Sequence, residues 1–82
     1  MTDAKVMMEV GATVASLIAI RKGQHRFPVC VTVREITECR PNLKRADVIE
    51  VLKDFESLGG GKVRSTINDE AYFPNEDHEQ NS

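Results

Sequence analysis

Gly59-Gly60-Gly61 is the feature that most restricts the fold of this chain. Three consecutive glycines cannot prolong a helix at any reasonable cost, and they supply the positive-φ conformations a tight reversal needs. The two sides of this break carry different periods. Before it, Val48, Val51, Leu52, Phe55 and Leu58 recur at spacings of 3-1-3-3, which places all five on one face of a helix. After it, Lys62 to Ile67 alternates, with Lys62, Arg64 and Thr66 on one side and Val63, Ser65 and Ile67 on the other. Asn68-Asp69 is a turn pair, and Glu70 to Phe73 returns with Ala71 or Tyr72 facing inward. A helix, a glycine break and a β-hairpin are therefore expected in that order.

Upstream, Pro41-Asn42 interrupts the chain, so the helix that ends at the glycines opens at Pro41 or Asn42 and reaches about Leu58. Thr32-Val33-Arg34-Glu35 has the capping-box pattern, in which the Thr hydroxyl and the Glu carboxylate each serve the other's backbone N–H. It predicts a short helix to about Cys39 that buries Val33 and Ile36. Phe27 to Val31 reads as a short strand after a loop at His25 and Arg26. Thr2 or Asp3 can cap a first helix running to about Lys22, with Gly23 placed for a left-handed C-cap. Its main apolar face is Met7, Val10, Val14, Leu17 and Ile18. A second stripe, Met8, Gly11 or Ala12, Ala15 and Ala19, is apolar and small. Either this helix is covered on two sides within one molecule, or the stripe is a seam between two copies. A chain of 82 residues has little else to cover that face, which favours a homodimer through Met8, Ala12, Ala15 and Ala19.

One small domain over residues 1–74 and an acidic, disordered tail over 75–82 fit this pattern, since nothing apolar follows Pro74. The 40% hydrophobic and 29% charged composition is that of a soluble globular chain, with no apolar run near the roughly 18 residues a membrane span needs. The opening Met-Thr-Asp-Ala-Lys lacks the basic-then-apolar order of a secretory signal, so a cytoplasmic protein is expected. Cys30 and Cys39, with eight residues between them and no Cys-x-x-Cys, read as reduced thiols, and with His25 and His78 they match no usual zinc spacing. No metal and no cofactor are expected.

The net charge of −2 conceals a strong division along the chain. Arg21 to Arg45 holds seven cations against Glu35 and Glu38, a local +5, while Ala46 to Gly61 sums to −3. Lys62 and Arg64 follow, and the tail carries −3 from Glu76, Asp77 and Glu79. Local potential steers a polyanion more than net charge does.

Helix, short strand, helix, turn, helix and hairpin, in that order over about Val29 to Phe73, resembles a winged helix-turn-helix domain. Thr32-Val33-Arg34-Glu35-Ile36 is similar to the opening of that family's first motif helix. Val48, Leu52 and Phe55 resemble the buried positions of its recognition helix, and Leu58-Gly59 followed by Val63 its exit into the wing. Two departures stand out: the Glu38 to Leu43 turn is about one residue longer than the common form, with Pro41 in place of a central glycine, and the triple glycine is long. The resemblance implies an α+β, mainly α fold of three helices, a short strand and a C-terminal hairpin wing. It also implies double-stranded DNA as partner, read by the start of the third helix while the wing touches phosphate or the minor groove. Carried over by position, this nominates Asn42, Lys44 and Arg45 for the helix face, Thr32 and Arg34 for the backbone, and Lys62, Arg64 and Thr66 for the wing.

The implied function is a sequence-specific transcriptional regulator acting as a homodimer. The alternative is a protein-interaction module on the same fold, suggested by the net negative charge and by the acids along the later half of the third helix. An enzyme is not expected, because no nucleophile–base pair or phosphate loop is present in a fitting context. Gly59-Gly60-Gly61-Lys62 follows a helix and precedes a strand, the reverse of the order a phosphate loop requires.

Overall fold

A computed structural model describes residues 3–26 and 28–75. The elements run α1 (Ala4–Gly23), β1 (Val31–Thr32), α2 (Val33–Cys39), α3 (Arg45–Ser57), β2 (Gly61–Ser65) and β3 (Glu70–Pro74). This is a small, mainly helical α+β fold. The three strands form one antiparallel sheet in the order β1-β3-β2, so the hairpin's second strand is central and the short β1 closes its far side.

The core lies where the three helices meet the sheet: Val10 and Val14 from α1, Val33 and Ile36 from α2, and Val48, Val51 and Leu52 from α3, against Val31 and Tyr72. Phe55 meets Tyr72 edge to face, with ring centroids 6.1 Å apart, and joins the third helix to the hairpin. Gly11 of the small-residue stripe belongs to this packing and not to an outer seam, because a Cβ there would lie 3.6 Å from the Phe55 ring. The α2 capping box forms as expected. Thr32 Oγ1 accepts from the Glu35 N–H at 3.2 Å, and Glu35 Oε1 accepts from the Thr32 N–H at 3.0 Å.

Several boundaries differ from the sequence expectation, each for a physical reason. The strand expected over Phe27 to Val31 is displaced to Val31–Thr32. Continuing the register of Val31 with Tyr72 would set Val29 opposite Pro74, and neither Pro74 nor Pro28 has an N–H to give a ladder. Val29 is still buried, but in irregular chain; Phe27 lies outside the described residues. The third helix starts at Arg45, with Lys44 as its extended N-cap, and not at Pro41 or Asn42. Pro41 disfavours helical backbone at Arg40, and Leu43 turns inward to be buried, its N–H bonded to the Arg40 carbonyl at 3.0 Å.

At the other end of α3, Leu58 is 82% exposed and Ile67 in the hairpin turn is 98% exposed, so neither is core. Leu58 is the C-cap, beyond the last turn that faces the sheet, and Ile67 follows the end of β2. Gly23 ends α1 without turning left-handed; His25, at φ 55, takes that conformation instead. Gly59 does take it, at φ 87. Asn75, the first residue assigned to the tail, belongs to the folded unit: its N–H and its side-chain amide donate to the Gly60 and Gly59 carbonyls at 2.8 and 2.7 Å. The rest of the tail, and Thr2 as a cap, lie outside the described residues.

Candidate nucleic-acid interface

The nominated residues divide into those already engaged inside the fold and those left outward. Thr32 is engaged, because its hydroxyl serves the capping box and its side chain is half-buried. Asn42 is exposed, yet its amide donates to Glu9 Oε1 at 3.1 Å, tying the inter-helix turn to α1. Thr66 lies beyond β2, where its hydroxyl donates to the Asp69 carbonyl at 2.8 Å and accepts from the Asp69 N–H at 3.0 Å. It closes the hairpin tip and does not continue the row of Lys62 and Arg64.

Lys62 and Arg64 are both exposed on one side of β2. Arg64 stands opposite Ala71, while Ser65 is the residue paired with Glu70 and donates to its carboxylate at 3.2 Å. Lys44 is exposed immediately before α3, and Arg34 is exposed on α2, its side chain in a 3.4 Å pair with Glu38, also exposed. Pairs of that kind contribute little in water.

Arg45 and Arg34 converge on one carboxylate. Asp69, in the hairpin turn, accepts from the Arg45 guanidinium at 2.8 Å, from the Arg34 backbone N–H at 3.0 Å and from the Glu70 N–H at 2.8 Å. Its side chain is 12% exposed, whereas that of Arg45 is 49% exposed. Burial by itself raises the Asp69 carboxyl pKa, but these donors outweigh it and hold the group below its ordinary value. The hairpin tip is therefore bonded to the start of α2 and to the start of α3. Sequence reasoning took Asn68-Asp69 only as a turn; no local pattern relates residue 69 to residues 34 and 45.

A second polar feature was also missed. Arg21, His25, Arg26, Pro28, Cys30, Thr32 and Glu35 line an open cavity of about 400 Å³. Arg21 pairs with Glu35 there, its side chain 13% exposed, and its Nη1 has no hydrogen-bond partner among the described residues. The dipole at the end of α1 explains a cation at this position, but its partner comes from the capping box of α2. Cys30 and Cys39 are both free thiols.

On the outer face of α1, Ala12, Ala15 and Ala19 are exposed, with Met8 73% and Ile20 54% exposed. No helix among the described residues is long and apolar enough to cross a membrane. Comparison with protein-family models, curated proteins and solved structures gives no match.

Proposed function

We propose that the chain is a winged helix-turn-helix domain that binds double-stranded DNA as a homodimeric transcriptional regulator. Here α2 and α3 are the two motif helices, the β2–β3 hairpin is the wing, and the start of α3 enters the major groove. One observation carries the reading: Asp69 bonds the hairpin tip to the start of α2 and to Arg45, which holds the hairpin against both motif helices. Arg45 and Lys44 then meet base edges or phosphates, and Lys62, Arg64 and Arg34 meet phosphates. Asn42 contributes to base reading only by releasing Glu9, and Thr32 and Thr66 act through the backbone they fix. The exposed Met8, Ala12, Ala15 and Ala19 supply the dimer contact, which sets the spacing of paired half-sites.

The test is fluorescence anisotropy on random duplex DNA across a salt series. About six phosphate contacts give a slope near −5 in log affinity against log salt. A slope near zero refutes the reading.

The exposed Met8 and Ile20, together with the exposed Glu50 and Glu56 of α3, favour one other reading, a module that docks a protein partner through α1. Sedimentation separates them: a dimer that Met8→Glu disrupts supports the self-seam, and a monomer at all concentrations supports the partner.

A further inference from the structure

We infer that Asp69 is the specificity-positioning residue of the DNA-binding surface, holding the Arg45 guanidinium so that its free edge reads a guanine. This rests on the DNA reading above. The geometry has three parts. First, the carboxylate is engaged by three donors of the protein: Oδ1 accepts from Arg45 Nη1 and from the Glu70 N–H, both at 2.8 Å, and Oδ2 accepts from the Arg34 N–H at 3.0 Å. It is not a free acid awaiting a cation.

Second, the backbone that carries the carboxylate is fixed. The Thr66 N–H and hydroxyl bind the Asp69 carbonyl at 2.7 and 2.8 Å, and the Asp69 N–H returns a bond to the same hydroxyl. Asp69 therefore cannot follow Arg45 if the arginine moves.

Third, the contact between them uses one terminal nitrogen of Arg45, and half of the arginine side chain is exposed. A guanidinium has five N–H donors in one rigid plane. With Nη1 anchored, that end of the guanidinium is held at Asp69 and the remaining donors stay available on its exposed side. Two parallel donors held in a plane match the O6 and N7 acceptors of guanine in the major groove. A lysine at the same place would offer charge without a fork.

An acid within a basic surface also weakens attraction to every phosphate. Removing it should therefore act in opposite directions on random and on specific DNA. A merely structural clamp, or a carboxylate that only masks a phosphate site, would not produce that split.

The experiment is selection from a randomised duplex library with the full chain, followed by anisotropy on the selected and on random duplexes, for wild type, Asp69→Asn and Arg45→Lys. Wild type is expected to select a guanine in each half-site and to prefer it roughly tenfold or more over other bases. Asp69→Asn should reduce that preference to less than about twofold while binding random DNA severalfold more tightly. Arg45→Lys keeps the ion pair and the charge, so it tests the fork even if Asp69→Asn does not fold; it should lose the guanine preference and keep the random affinity within about twofold.

Parallel losses on both DNAs for Asp69→Asn would make Asp69 a structural clamp alone. A uniform gain with the base preference unchanged would make it a mask over a phosphate site. Either result overturns the inference while leaving the DNA reading intact. Failure of wild type to bind any duplex at low salt overturns both, and is seen before a variant is made.

Discussion

Replacing Gly61 with Ala should cost about 3 kcal/mol and loosen the hairpin. The added Cβ would sit 2.4 Å from the Phe73 carbonyl oxygen, 2.8 Å from Pro74 Cα and 2.9 Å from the Tyr72 ring. Two of these are backbone or backbone-attached atoms of the paired strand, so no side-chain rotation relieves them. Ordinary contact requires about 1 Å more, and the start of β2 must leave β3 to gain it. That movement puts at risk the Asn75 bonds to Gly60 and Gly59, worth about 1 kcal/mol each, and forces Tyr72 to repack at a cost of ~1–3 kcal/mol. The lower unfolded-state entropy of Ala returns ~0.5–1 kcal/mol.

A chain of 82 residues has about 4–12 kcal/mol of stability in total. Loss of 3 kcal/mol should then move the urea midpoint down by roughly 2 M at an m-value of ~1.5 kcal/mol/M. Gly59→Ala is the comparison: it meets nothing within 4 Å, but its φ of +87° adds strain of about 1–2 kcal/mol, so it should fall between wild type and Gly61→Ala. A midpoint shift below about 0.5 M for Gly61→Ala, with m unchanged, would refute the close approach on which the reasoning depends. Because Lys62 follows directly, the same variant should weaken any DNA binding that uses the hairpin cations.

Other outcomes follow from the same geometry. Glu35→Gln leaves the Arg21 guanidinium without its carboxylate in a half-closed site and should cost about 2 kcal/mol by urea denaturation, whereas Glu38→Gln, facing solvent with Arg34, should stay within about 0.5 kcal/mol. Leu58→Ser and Ile67→Ser should also stay within about 0.5 kcal/mol, against the loss of ~2–5 kcal/mol expected for Leu52→Ala in the core. For pH, the folded Asp69 pKa lies below its unfolded value near ~3.9, so its contribution is complete above that value and is lost as pH falls through the folded pKa. Asp69→Asn should accordingly show a smaller decline in stability than wild type when acid titrations below about pH 4 are compared by circular dichroism.

Much of the architecture follows from local rules that the sequence states directly. The capping box at Thr32 and Glu35 starts α2, the spacing of Val48, Val51 and Leu52 buries one face of α3, and the glycines separate that helix from the hairpin. Each depends on neighbours within one or two turns, so a linear pattern suffices. What depended on contacts across the chain was decided only in three dimensions. Val29 is buried without being a strand because Pro74 lies where its ladder partner would be, and Leu43 shortens α3 by packing into the core. Leu58 and Ile67 have apolar side chains but sit at a helix C-cap and in the hairpin turn, where no element among the described residues covers them. The convergence of Arg34, Arg45 and Asp69 was least legible, since it joins residues up to 35 positions apart through a carboxylate whose local setting marks only a turn. Charge type and helix phase are properties of a sequence; which charge a given carboxylate meets is set by how the sheet folds back over the helices.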